Sequence, residues 1–311
     1  MKASIIIPCH NGGVLLKECL RQCLGQNVPF DYEVVAIDSS STDGTREHLL
    51  AVAARDPRLR VIEIAQRDFG HGKTRNLGAR EARGEFLCFL TQDAIPTSPG
   101  WLGHFVRAME TFPAAAGAFG AHVAHPGHSA YTADQLERFF TGFGTGVVPY
   151  QVDSLEHYEA DVPYRQRLHF FSDNNSCLRR SIWQELPYDD VAFGEDQLWA
   201  DKILRRGLTK LYVADAVVRH SHEFGLRESY RRSREEGAFF ARHFGYLLKR
   251  SRRSVWHSTV YLTGLEFRYV RPHQGLVAAW AGLPRSFLRH GAAMCGQYAG
   301  TKSALAAKPS R

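Results

Sequence analysis

Residues 3–37 read ASIIIPCHNGGVLLKECLRQCLGQNVPFDYEVVAI, and this stretch decides the fold. Ala3–Ile7 is a short, β-rich apolar run ended by Pro8, which reads as a buried strand. Val14–Leu24 then carries apolar residues at Val14, Leu15, Cys19, Leu20, Cys23 and Leu24, a spacing that predicts a helix. Glu33–Ile37 is a second buried strand, ended by Asp38. Further out, Ser39–Gly44 has turn chemistry, Thr45–Ala54 reads as a helix and Leu59–Ile64 as a third strand. Lys73–Arg83 reads as a helix and Glu85–Leu90 as a fourth strand. This alternation predicts an α/β protein, a mostly parallel sheet with helices on both faces. Ligands of such sheets sit beyond the carboxyl ends of the strands. That rule singles out Pro8–Asn11, Asp38–Asp43, the stretch around Gln66–Arg75, and Thr91–Ala94.

The composition fits a folded chain. Of 311 residues, 44% are hydrophobic and 23% charged, which excludes disorder as the main state. The cysteines at 9, 19, 23, 88, 177 and 295 show no paired CxxC spacing, so free thiols in a reducing compartment are expected. The apolar run near the start is too short for a signal peptide, and no run reaches the 18 or so residues a membrane-spanning helix needs. The expected location is cytoplasmic. Residues 227–311 hold 16 Lys and Arg against 4 Asp and Glu, while the other 226 residues hold 23 against 28. An acidic body with a basic tail is not the pattern of a nucleic-acid enzyme, so no nucleic-acid partner is expected. The tail either meets something anionic or carries solvated helix faces.

Two nucleotide folds fail on their motifs. The segment after the first strand is PCHNGGV, without the GxGxxG of a dinucleotide site. Gly70-His71-Gly72-Lys73-Thr74 lacks the first glycine of a P-loop.

Four other motifs are more specific: SIIIPCHNGG (4–13), VVAIDSSSTDGT (34–45), GKTRNLGAREARGEFLCFLTQDA (72–94) and FGEDQLWADKILRRG (193–207). In this order they resemble glycosyltransferase family 2, above all the bacterial rhamnosyltransferases that build cell-surface polysaccharides such as O-antigen. The resemblance covers roughly residues 3–225. It implies a GT-A fold, with a Rossmann-like nucleotide half over about 1–95 and an acceptor half over about 96–225. Residues 226–311 then form a helical basic region. The implied reaction is inverting sugar transfer from a nucleotide-sugar, dTDP-L-rhamnose being the best single donor, to a saccharide or an undecaprenyl-diphosphate-linked saccharide.

The resemblance also assigns residues. Pro8, His10, Asn11 and Asp38 would hold the base and ribose, although Asp38 could instead start an Asx-turn. Asp43 reads as a helix N-cap. The family's Asp-x-Asp is Thr91-Gln92-Asp93 here, leaving Gln92 and Asp93 at the diphosphate and Asp93 as ligand to Mg²⁺ or Mn²⁺. Further ligands would come from His220 and His222, with His220 preferred because alternate residues of an extended segment face opposite ways. Asp196 would be the general base and Glu195 would position the acceptor or the loop, while a helix-dipole role for the pair stays open. His71, Lys73 and Arg75 would meet the sugar or diphosphate, or lie in a solvated loop. Asp173 and Asn174, after an apparent strand, would recognise acceptor hydroxyls, or merely cap a loop. The stretch 119–167 is expected to be an acceptor lobe or lid.

Within 228–253, Phe239, Phe240, Phe244, Leu247 and Leu248 recur at helical spacing among arginines. Such a helix could lie on an anionic membrane through 227–260, at the inner face of the cytoplasmic membrane, or pack on the body or a second subunit. The residues do not fix the oligomeric state, and a dimer stays open. The last six residues, AAKPSR, are expected to lack regular structure. Two other classes compete: a nucleotidyltransferase on a related fold, which lacks its Gly-rich cationic signature here, and a non-catalytic sugar-nucleotide or polysaccharide-binding module.

Overall fold

The computed structural model describes residues 1–306, so the last five residues, most of the AAKPSR tail, lie outside the described residues. The chain forms two compact units: residues 1–127 with 133–221, and residues 128–132 with 222–306.

The first unit is built on nine strands: β1 (Ala3–Cys9), β2 (Tyr32–Asp38), β3 (Leu59–Glu63), β4 (Phe86–Leu90), β5 (Ile95–Pro96), β6 (Ala115–Val123), β7 (Val147–Tyr150), β8 (Asn175–Arg179) and β9 (Thr209–Arg219). Their order is β3-β2-β1-β4-β8-β6-β9-β5, with β7 also paired to β9. From β3 to β4 the pairing is parallel, as the alternation of strands and helices requires. Beyond β4 the sheet is mixed: β8 runs antiparallel to β4 and β6, and β9 runs parallel to β6. The sheet carries helices α1 (Gly13–Leu24), α2 (Thr45–Ala53), α3 (His71–Glu81), α4 (Trp101–Thr111), α5 (Ala130–Thr141), α6 (Leu155–Ala160), α7 (Val162–His169), α8 (Arg180–Glu185) and α9 (Glu195–Arg205).

Strands buried on both faces read as continuous apolar runs, and here their residues alternate between two cores. Ile5, Ile7, Val34, Ala36, Phe86, Cys88 and Leu90 join one core with Leu16, Leu20, Trp101 and Phe105. Ile6, Val35, Ile37, Leu87 and Phe89 join the other with Trp199, Ile203 and Leu204 of α9. On α1 the inward face is Leu16, Cys19, Leu20 and Cys23. Val14, expected on that face, is 79% exposed, whereas Leu16 is 1% exposed. All six cysteines are free, five of them buried.

Phe119 is core in β6, and α5, β7, α6 and most of α7 follow it. The segment before Phe171 is the helix α7, not a strand.

The second unit contains α10 (Leu226–Phe239), a π-helical turn over Phe240–Phe244, α11 (Arg252–Gln274) and α12 (Leu276–Ala306). Helices α10 and α12 meet at glycines. A Cβ on Gly237 would stand 2.5 Å from the Gln297 carbonyl, and one on Gly300 2.0 Å from that of Arg234. The expected amphipathic helix over 228–253 is therefore broken after Phe244. Of its apolar stripe, Phe239 and Phe244 are buried, Phe244 stacking on Tyr246 at 5.4 Å, while Phe240, Leu247 and Leu248 are half-buried. Among the described residues no helix is long and apolar enough to cross a membrane.

Candidate active site

The loops after β1 and β2 are laced together. Asn11, at φ 47°, donates its N–H to Ser41 Oγ at 2.9 Å and accepts from the Thr42 N–H at 2.8 Å through its side chain. Gly12 N–H donates to Thr45 Oγ1 and Gly13 N–H to Asp43 Oδ2. Asp43 also accepts from Thr45 N–H at the start of α2, close to the capping role its position suggested. Asp38 is buried, and its carboxylate accepts from the Ser41 N–H and hydroxyl. This is the turn role the sequence left open; the structure turns Asp38 toward its own loop. Pro8 sits inside β1 opposite Ile37. His10 exchanges backbone hydrogen bonds with the Gln92 amide, both 2.9 Å, and its ring meets the Ser39 carbonyl. Gln92 thus fixes the β1 loop against the β4 loop.

Asp93 follows on that loop. Its Oδ1 lies 3.7 Å from His220 Nε2, just beyond the end of β9. The strand ends at Arg219, so period-two alternation stops before His220, whose imidazole turns toward the Asp93 carboxylate. His122 at the end of β6 stands edge-on to His220 at 5.2 Å, and His125 contacts the Asp93 carbonyl at 3.0 Å. Sequence reasoning missed these two, whose signal was the repeated histidine of AHVAH (121–125). Thr91, in the missing aspartate's place, keeps its hydroxyl buried and without a hydrogen bond.

A second constellation lies at the start of α9. Arg75, 4% exposed, donates to Glu195 Oε1 at 2.9 Å and lies 3.4 Å from Asp173 Oδ2. The other Asp173 oxygen accepts from the Tyr188 hydroxyl at 2.6 Å and the Ser176 hydroxyl at 2.9 Å. Asp173 N–H donates to Asp196 Oδ2 at 3.2 Å, and the other Asp196 oxygen takes the Gln197 N–H. Two carboxylates thus share one guanidinium, and Asp196 is held by the backbone beside them. Burial lifts the Asp173 carboxyl to about 6 against the pull of Arg75. Burial, then the charges of Glu195 and Asp173, push Asp196 well above the usual carboxylate range. Leu90 pairs with Asn175 across β4 and β8, so the loops carrying Asp93 and Asp173 leave one sheet edge.

Arg75 is enclosed between Glu195 and Asp173. Its counter-charge comes in part from α9, through Glu195. Asp173 is buried, with one oxygen taking the Tyr188 and Ser176 hydroxyls and the other 3.4 Å from Arg75. Asn174 beside it is half-buried, while His71 and Lys73 remain exposed at the start of α3. Gly72 lets the 188–190 segment close on that helix, because a Cβ there would be 2.0 Å from the Asp189 carbonyl. Lys210, a buried lysine in β9 that sequence reading also missed, donates to the Phe170 carbonyl just ahead of the Asp173 loop. Burial drives its amine well below the usual range.

A sheet-edge site of this kind, on this mixed sheet, defines the GT-A class of glycosyltransferase folds. The chain belongs to glycosyltransferase family 2, whose family model matches residues 4–186. It is 30% identical over 245 residues to the O-antigen chain rhamnosyltransferase RfbN of Salmonella typhimurium, covering 78% of this chain and 73% of that one. To the O-antigen chain rhamnosyltransferase WbaN of Salmonella anatum it is 27% identical, over 76% of this chain and 72% of that one. Among solved structures, the mannosyltransferase PcManGT of Pyrobaculum calidifontis with GDP-Man and Mn²⁺ matches all of this chain and 76% of its own, at TM-score 0.57 and 19% identity. Staphylococcus aureus TarS 1–349 with UDP-GlcNAc matches all of this chain and 93% of its own, at TM-score 0.56 and 16% identity.

Proposed function

We propose that the protein moves L-rhamnose from dTDP-L-rhamnose to a hydroxyl of a saccharide, free or carried on undecaprenyl diphosphate, with inversion at the anomeric carbon. The observation that carries this reading is Asp196, held on its two oxygens by the backbone N–H groups of Asp173 and Gln197 at the sheet edge that also bears Asp93. The similarity to two O-antigen rhamnosyltransferases over most of the chain supports the choice of sugar. Asp196 takes the acceptor hydroxyl proton as the oxygen attacks, the bond from the anomeric carbon to the diphosphate breaks, and the diphosphate leaves with the electron pair. An elevated pKa makes Asp196 a stronger base once ionised. Glu195 keeps Arg75 in the cluster, and His71 and Lys73 are the exposed candidates for the donor's phosphates or sugar. Pro8, His10, Asn11, Asp38 and Gln92 shape the nucleoside side of the cleft, and Asn174 is the candidate on the acceptor side.

Asp93 and His220, a carboxylate and an imidazole, are donors that fit Mn²⁺ or Mg²⁺, with His222 the further proposed ligand. When bound, the cation would supply positive charge against the leaving diphosphate. The test is a thermal-shift screen across sugar nucleotides with and without Mn²⁺, followed by turnover with the donor that stabilises most. Asp196→Asn should lose at least about a hundredfold in kcat and keep the donor-induced shift. Full turnover in that variant rejects Asp196 as base.

A further inference from the structure

Trp256, Val260, Leu276 and Trp280, four of the second unit's exposed apolar side chains, fall on one side of a helical hairpin, while Tyr261, Val277 and Leu288 lie on other faces. In α11, residues 253, 256, 260, 267 and 271 share a face at 3.6 residues per turn; in α12, residues 276, 280 and 287 do. Trp256 meets Phe287 at 5.7 Å and Phe267 meets Trp280 at 5.2 Å, so the two faces lie on the same side of the antiparallel pair. Both tryptophans are nevertheless 60% exposed, and Val260 and Leu276 beside them are exposed too. Arg253 and Arg271 flank this strip, both exposed. From 252 to 306 the hairpin carries seven cations (Arg252, Arg253, Arg268, Arg271, Arg285, Arg289 and Lys302) and a single acid, Glu266. That acid is already bound by Ser286, Arg289 and His290.

We infer that this α11–α12 face is a docking surface for an anionic lipid bilayer, seated through Trp256 and Trp280 and held by the surrounding arginines. Amphipathic aromatic rings flanked by cations are the chemistry of the membrane interface. A second copy of the chain is disfavoured as occupant, because a two-fold contact would bring the same cations against themselves. The surface also differs from the covered stripe of Phe239 and Phe244, and it does not depend on which sugar is transferred.

The experiment is co-sedimentation of the full chain with vesicles of phosphatidylcholine alone or with 30% phosphatidylglycerol as ~ a typical anionic fraction, read together with tryptophan emission. The expected result is binding only to the anionic vesicles, weakened by salt, with a blue-shifted emission. Trp256→Ala with Trp280→Ala, and separately Arg253→Glu with Arg271→Glu, should each weaken binding at least about tenfold at unchanged circular dichroism. Wild-type binding in both double variants overturns the inference, as does absence of binding to anionic vesicles. A dimer by light scattering that the tryptophan variants dissociate also overturns it, assigning the face to a second copy.

Discussion

At the residue scale, one guanidinium governs the acidic cluster. Arg75 is buried between Glu195 and Asp173, so its removal leaves carboxylates uncompensated in a dry site. Arg75→Met should cost about 3–5 kcal/mol of stability, read by denaturant unfolding, where a surface ion pair would cost under about 1 kcal/mol. The charge of Glu195 helps to raise Asp196, so Glu195→Gln should move the acid limb of the turnover profile to lower pH. An unmoved limb would separate Glu195 from the titration of the base. For Asp173, the folded pKa of about 6 lies above the ordinary value of about 3.9. Its protonated form is therefore the one that folding favours: that contribution is complete below about pH 4 and is lost as pH rises through 6. The unfolding free energy of wild type relative to Asp173→Asn should accordingly decline between pH 4 and 7, and a flat difference would contradict the shift.

At the element scale, close approach and helix phase decide which substitutions matter. Helix α1 buries Leu16 and exposes Val14. Leu16→Ala should cost about 2–5 kcal/mol, and Val14→Ala less than about 0.5 kcal/mol, in the same chemical denaturation experiment. Glycines at helix crossings are equally discriminating. Gly300→Ala sets a methyl 2.0 Å from the Arg234 carbonyl, a backbone atom that cannot swing aside. Overpacking of this kind costs about 1–3 kcal/mol, and it should appear as faster proteolysis within residues 226–250 at unchanged kcat. Gly282, with open space where its Cβ would go, is the control position.

At the scale of the whole molecule, the two units divide the charge: an acidic-leaning sheet unit carries the chemistry, and the helical unit carries the surplus of arginine. If Asp93 and His220 hold Mn²⁺, His220→Ala should abolish any Mn²⁺-dependent thermal shift. At a ligand concentration a hundred times Kd, a native-state ligand adds about 2.7 kcal/mol, so the loss is easily read. The parallel half of the sheet was legible in residues 3–90, because a strand buried on both faces must be apolar throughout and its helices must repeat at 3.6. Family membership was legible too, since its motifs lie in contiguous loops. The sequence by itself also placed Asp38 and the Thr91-Gln92-Asp93 loop at the carboxyl ends of β2 and β4, because turn chemistry marks those ends locally, whereas Pro8, read as a strand end, lies inside β1. Only the tertiary structure decided where their side chains point. Arg75 meets Glu195 120 positions away, Asp38 turns onto Ser41, and His122 arrives beside His220 from another strand. The physical reason is that periodicity and turn chemistry act over a few residues, whereas the partner of a buried charge is chosen by whatever the fold brings within hydrogen-bond reach.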